Sequence, residues 1–156
     1  MTVNLREIDD DNRTAIVALG VSDVQHNYVS GVDESLDDAA AYPHAAPRYW
    51  AIYDDDVPVG FVMISDNVPP TDDPEILGPY FLWRLLIDTK YQGRGHGRAA
   101  MALVIDYVRA RPGATELLTS VHPGEDESPM GFYLKLGFID TGVDHIDTER
   151  ILRLPL

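Results

Sequence analysis

The chain contains no cysteine. Disulfides, thiolate metal sites and a cysteine nucleophile are therefore excluded. It also lacks any run of about 18 apolar residues, so no membrane span is expected. Its first residues, Met1-Thr2-Val3-Asn4-Leu5-Arg6-Glu7, have no apolar signal-peptide core. A cytoplasmic location is expected by elimination. Basic residues are scarce: 12 Lys and Arg stand against 26 Asp and Glu, a formal net charge of -14. Such a surface repels phosphate backbones, so nucleic acid is not an expected partner. The same charge attracts cationic substrates such as polyamines, and it equally serves solubility or a salt-rich cell interior.

What is present suits one globular domain over residues 1–156, with 45% apolar residues and enough length for a hydrophobic core. Val3-Asn4-Leu5-Arg6-Glu7-Ile8 alternates apolar and polar and reads as a strand. Residues 9–12 offer caps for a helix over about 12–20. Ser35-Leu36-Asp37-Asp38-Ala39-Ala40-Ala41 reads as a short helix capped by Ser35. Residues 48–53 and 57–65 read as a hairpin around Asp54-Asp55-Asp56. Residues 66–79 carry Pro69, Pro70, Pro74, Gly78 and Pro79 and read as loop. Tyr80-Phe81-Leu82-Trp83-Arg84-Leu85-Leu86-Ile87 reads as a central strand covered on both faces, with Arg84 needing a partner.

The clearest helix spans residues 95–109, with Ala100, Leu103, Val104, Tyr107 and Val108 on one face. Pro112-Gly113 ends it. A strand over 115–121 and a short helix over 129–136, closed by Gly137, follow. Residues 138–141 and 151–154 supply closing strands. The order is mixed α/β, with helices set between the strands of one sheet.

The chemistry concentrates in Gln92-Gly93-Arg94-Gly95-His96-Gly97. Three alternate glycines lie between a buried strand and a long helix. Glycine lets successive N–H groups turn toward one point and lets a ligand approach closely. The helix start adds unpaired N–H groups and the positive dipole end. Arg94 and Arg98 add cations that pair with phosphate. A pyrophosphate suits such a cradle. The dinucleotide fingerprint fails, because its third glycine position is Arg98, and no Gly-Lys-Ser/Thr exists for a nucleoside triphosphate. His26, His44, His96, His122 and His145 show no metal-ligand spacing, and His122 with Glu125 is too few for zinc. No metal is expected.

The glycine segment resembles the Gln/Arg-x-x-Gly-x-Gly/Ala signature of the GCN5-related N-acetyltransferase (GNAT) superfamily. Phe132-Tyr133-Leu134-Lys135-Leu136-Gly137-Phe138 is similar to its Phe-Tyr-x-x-x-Gly-Phe segment. Leu82-Trp83-Arg84-Leu85-Leu86-Ile87-Asp88, Tyr91-Gln92-Gly93 and Glu149-Arg150-Ile151-Leu152-Arg153-Leu154 resemble the diamine and spermine/spermidine acetyltransferase branch. The resemblance implies a mostly antiparallel sheet of six to seven strands with one splayed parallel pair, flanked by about four helices. It implies an acetyl-CoA-dependent N-acetyltransferase acting on a primary amine in a ternary complex.

By the same resemblance, residues 85–87 and 119–121 flank the pantetheine arm, with Leu86 and Ile87 offering backbone groups and an N–H near Leu86 meeting the oxyanion. Gln92, Gly93, Arg94, Gly95, His96, Gly97 and Arg98 hold the pyrophosphate. Tyr133 protonates the departing thiolate; it also fits a core aromatic beside Phe132. Candidate bases are Glu75, Asp88, His122 and Glu149, with Glu149 first. The family's Asn near the last helix is replaced by Asp126-Glu127-Ser128-Pro129, where Ser128 offers a helix cap and a cofactor contact. The acceptor side falls on residues 24–42 and Asp72-Asp73-Pro74-Glu75, with Tyr28, Glu34 and Glu75 as binding candidates and Asp33 beside them. The acceptor stays open among a polyamine, an amino-sugar antibiotic and a peptide amine. A non-catalytic acyl-CoA-binding module is the reading outside enzymes. A homodimer fits the habits of relatives.

Overall fold

The computed structural model describes residues 1–20, 31–123 and 128–156. Among them, seven strands form one sheet: β1 (Val3–Arg6), β2 (Pro47–Asp54), β3 (Val57–Asp66), β4 (Tyr80–Ile87), β5 (Glu116–Val121), β6 (Ile139–Asp144) and β7 (Arg150–Pro155). Four α-helices accompany them: α1 (Arg13–Val17), α2 (Val32–Ala41), α3 (His96–Arg109) and α4 (Met130–Lys135). The strand order is β1-β2-β3-β4-β5-β7-β6. Every neighbour pair is antiparallel except β4 with β5.

The sheet is covered on both faces, as the near-continuous apolar run of β4 requires. One face carries α3 and α4, with Met101, Val104, Val108, Tyr133 and Phe138 packed over Tyr80 and Leu82. The other carries α1 and α2, with Ile16, Val32 and Leu36 packed over Phe61, Met63 and Leu86.

A bulge explains how β4 serves both faces. Met63 pairs with Arg84, but Ile64 pairs with Leu82, so Trp83 is the extra residue. Bulges reset the alternation of side chains. Tyr80 and Leu82 face α3; after the bulge Leu85 and Ile87 do so, while Trp83 and Leu86 turn to α1 and α2. Just there β4 also leaves β5. Their parallel pairing is limited to Phe81 with Leu118 and Leu82 with Thr119. The Thr119 hydroxyl donates to the Leu82 carbonyl at 3.0 Å and closes the last contact. Beyond it the two strands diverge.

Several local expectations are corrected. The helix expected over 12–20 is the shorter α1. Ser35 does not cap α2: the helix starts three residues earlier behind Gly31, and the buried Ser35 hydroxyl donates back to the Gly31 carbonyl at 2.8 Å. On α3, Leu103 is exposed and Met101 fills the core position instead. The helix is rotated so that residues 97, 100, 101, 104 and 108 face the sheet and α4. β6 begins after Phe138, which is buried. The other expected strands, and the loop over 66–79, lie within a few residues of where sequence pattern puts them.

Candidate active site

The divergence of β4 and β5 opens a cleft of about 840 Å³ that runs from the glycine loop to the start of β7. Leu85, Leu86 and Ile87 form one wall, and Thr119, Ser120 and Val121 the other. Peptide groups alternate sides along a strand. The Asp88 N–H donates to Val59 on β3 at 2.8 Å. Alternation therefore turns the Leu86 peptide to β3 and the Leu85 and Ile87 peptides to the cleft. The close approach agrees: a Cβ on Gly60 of β3 would collide with the Leu86 carbonyl oxygen. The Ile87 carbonyl accepts from Gln92 Nε2 at 2.8 Å, which leaves the Ile87 N–H toward the gap.

At one end lies the glycine loop. A 3-10 turn (Thr89–Tyr91) leads into it, and Asp88 starts that turn by accepting from the Lys90 N–H at 2.9 Å. Gly93 and Gly95 have φ of 77° and 88°, the left-handed region that glycine enters without a Cβ penalty. Gly97 is different. It is helical, and a Cβ there would meet the Phe132 ring of α4 at 3.4 Å, an ordinary packing contact. The 14-residue α3 points its N-terminus at this end. Gln92, Gly93, Gly95, His96, Gly97 and Arg98 line the cleft, with His96 almost wholly buried. Arg94 lies over the Tyr91 ring, 5.9 Å from its centroid, and outside the cleft lining. Neither Arg94 nor Arg98 has a carboxylate partner among the described residues.

Tyr133 lies along the cleft on α4, 6% exposed. Its ring is held edge-on between Phe132 and Phe138, with centroids at 5.2 and 5.4 Å. Burial pushes the phenol pKa far up, because no nearby cation offsets the cost of charging it. Among the described residues its hydroxyl makes no hydrogen bond. Tyr133 is thus packed in the core, as one of its sequence readings has it, and it also lines the cleft. Ser128, at the α4 entrance, donates to the His122 carbonyl at 2.7 Å and accepts from Met130 N–H at 3.4 Å. Pro129 occupies the cap position expected of Ser128.

The other end is acidic. Val121 pairs with Arg150, which sets Glu149 beside the end of β5. Glu149 Oε2 accepts from the Ser120 hydroxyl at 3.1 Å, and Oε1 lies 3.7 Å from His122 Nε2. Glu75 and Asp147 also line this end. Asp147 and the adjacent Thr148 hold positive φ of 57° and 61°, a costly geometry for non-glycine residues. Arg84 sits among these acids. It pairs with Asp38 of α2 at 2.9 Å, answering the partner expected from sequence. Burial pushes its pKa down, opposed by Asp38 first and then by Glu149 and Glu34. Arg84 Nε is buried without a hydrogen-bond partner.

The candidates therefore divide. Leu86, Ile87, Tyr133, Glu75, Glu149, Ser128 and most of the loop share one cleft. Glu34 is not in its lining and reaches it only through the field at Arg84. Tyr28 lies outside the described residues, as do Asp126 and Glu127. Asp88 is withdrawn from the bases: it is 5% exposed, with both oxygens accepting backbone N–H groups, from Gly20 at 3.0 Å and Lys90 at 2.9 Å. Trp83 and Asp147 line the cleft unannounced by sequence. Trp83 was hidden in an apolar run, and its exposure depends on the bulge. Among the described residues, no group of three or more His, Asp or Glu is placed to hold a metal. No helix among them is long and apolar enough to cross a membrane.

Comparison with known proteins agrees with this geometry. The chain is 28% identical over 152 residues to the spermine/spermidine N(1)-acetyltransferase of Bacillus subtilis, covering 97% of each. It is 26% identical to the peptidyl-lysine N-acetyltransferase YjaB of Escherichia coli, covering 94% of this chain and 89% of that one. Its fold matches the PaiA N-acetyltransferase of Thermoplasma acidophilum, solved in complex with coenzyme A, with a TM-score of 0.69, 14% identity and full coverage of both chains. Residues 18–138 match the Acetyltransferase (GNAT) family, and they hold both the glycine loop and Tyr133; the chain belongs to that family.

Proposed function

We propose that the protein transfers the acetyl group of acetyl-CoA to a primary amine of a polyamine, by direct attack within a ternary complex. The observation that carries the acceptor class is the acidic end of the cleft, where Glu75, Asp147 and Glu149 gather around the splay. An alkyl chain bearing several ammonium groups suits such a wall, and the Bacillus subtilis relative points the same way. A second reading, a peptide lysine, is favoured by the Escherichia coli relative.

Acetyl-CoA fits the residues present. Gly93 and Gly95 bare their N–H groups at a helix start, and the cleft continues from there between the splayed strands. When bound, the thioester supplies an activated acyl carbon and a thiolate leaving group. The N–H groups of Gln92, Gly93, Arg94, Gly95, His96 and Gly97 hold the diphosphate, with the Arg98 guanidinium beside them. The cleft-facing peptides of Leu85 and Ile87 orient the amide arm, and the Ile87 N–H meets the carbonyl oxygen as it gains charge. On this reading the donor is Ile87, one residue beyond Leu86, whose side chain packs the wall.

Glu149, held by Ser120 and near His122, takes the proton that the ammonium must lose before attack. Tyr133 gives a proton to the departing thiolate. A phenol whose pKa is pushed up by burial stays a donor throughout neutral pH.

The test is turnover of acetyl-CoA, followed by thiol release, with spermidine, spermine, an amino-sugar antibiotic and a lysine peptide as acceptors. Polyamines should give the highest kcat/KM by about tenfold or more. A lysine peptide winning that race would install the second reading. No turnover with any amine, despite acetyl-CoA binding, would leave the non-catalytic module.

A further inference from the structure

The backbone reading of the glycine loop leaves the His96 side chain without a task. That side chain is 3% exposed, at the first position of α3. Its Nδ1 lies 3.0 Å from the Tyr91 carbonyl oxygen, and its Nε2 lies 2.9 Å from Asp54 Oδ2. A carbonyl oxygen can only accept, and so can an ionised carboxylate. A neutral imidazole has one N–H and satisfies one of the two. Only the imidazolium donates to both.

We propose that His96 is a positioning residue for the diphosphate loop, held as an imidazolium between Asp54 and the Tyr91 carbonyl, so that acetyl-CoA affinity depends on both of those hydrogen bonds. The proposal rests on residues 92–97 being the diphosphate site.

Placement carries it. Tyr91 ends the turn before the loop, and His96 begins the helix after it. Asp54 ends β2, so one side chain ties both ends of the loop to the sheet. The Tyr91 ring packs edge-on against the imidazole, centroids 6.2 Å apart. Asp54 is kept ionised by the His96 contact first and by the Thr2 N–H, against some burial. A cation at a helix N-terminus opposes the helix dipole. It is therefore unfavourable there until a carboxylate, or a bound diphosphate, offsets it.

A small cavity of about 380 Å³ adjoins the pair. The charged or titratable groups facing it are Asp54 from β2, Asp55 from the turn, Tyr91 and Arg94 from the loop, and the Met1 ammonium. β3 contributes only Val57 and Val59.

The experiment has two parts. Imidazole ¹⁵N NMR on the free protein at neutral pH should show both His96 nitrogens protonated; a single neutral tautomer overturns the proposal. His96→Gln keeps a donor for Asp54 but no charge. By calorimetry it should bind acetyl-CoA about tenfold more weakly than the wild type, raising the acetyl-CoA KM while kcat stays within about twofold. Asp54→Asn removes the carboxylate that holds the ring; it should weaken acetyl-CoA by a similar factor, and it serves where His96→Gln does not fold. Wild-type affinity in His96→Gln overturns the role of His96 alone. No acetyl-CoA binding by the wild type overturns the diphosphate reading itself.

Discussion

The two ends of the cleft are made of different materials. The loop end is backbone: N–H groups of residues 92–97, bared by two glycines at positive φ and backed by Arg98. The other end is side chain: Glu75 from a long loop, Arg84 from β4, Ser120 from β5, and Asp147 and Glu149 from the approach to β7. One suits an anion and the other a cation. Between them the sheet parts, and Tyr133 lines the cleft there. A backbone site fixes its residue types, because only glycine takes those dihedrals cheaply. A side-chain site assembled from distant segments fixes a charge and little else.

The largest effect should come from the middle, where neither end decides. Tyr133→Phe keeps the ring and its packing against Phe132 and Phe138 and removes only the proton donor. Its kcat should drop on the order of a hundredfold, while the Kd for acetyl-CoA by calorimetry stays put. Equal turnover would remove Tyr133 from the acid role and leave it a core aromatic. A matching loss of acetyl-CoA affinity would instead move it into the loop end.

The ends themselves should break separately. Glu149→Gln should raise KM for a polyamine about tenfold and leave the Kd of acetyl-CoA unchanged. Gly95→Ala should do the reverse. An alanine held at φ of 88° costs about 1–2 kcal/mol, so acetyl-CoA should bind roughly fivefold to thirtyfold more weakly, with KM for the amine intact. If either variant moves both constants, the two ends are one coupled site and the contrast drawn above fails.

That contrast also explains what sequence revealed. The loop was legible because its glycines, its helix and the preceding strand are contiguous. The segment around Tyr133 stood out through the resemblance of residues 132–138 to a family pattern, whose Gly137 holds a φ of 106° that favours glycine. Most strands were legible from alternation and turn residues. The bulge at Trp83 was not, because an all-apolar run has no alternation to break, and with it went the cleft-facing peptide of Leu85, where sequence pointed to Leu86. Ser35 misled for a related reason. A serine before an apolar stretch resembles a cap, but its hydroxyl also bonds back to the carbonyl four residues earlier inside a helix. Asp88 looked like a free acid until two backbone N–H groups were found on it. Ser120, Asp147 and Glu149 are drawn together only by the β5–β7 register, which no local pattern encodes.

The smallest effect concerns pH. Burial pushes the phenols of Tyr133, Tyr80 and Tyr107 upward, with the Asp66 carboxylate adding to the rise at Tyr107. A group whose folded pKa exceeds its unfolded value contributes stability that is whole below the unfolded value, about 10 for tyrosine, and is lost as pH rises further. Thermal melts should therefore hold level up to about pH 10 and fall beyond it, and Tyr133→Phe should fall less steeply. The same direction bears on catalysis. A donor kept protonated that far cannot cause a decline in kcat below about pH 10, so any activity limb near neutrality belongs to the acidic end. If a neutral-range limb vanishes in Tyr133→Phe but persists in Glu149→Gln, the acid and base have been assigned to the wrong ends of the proton path.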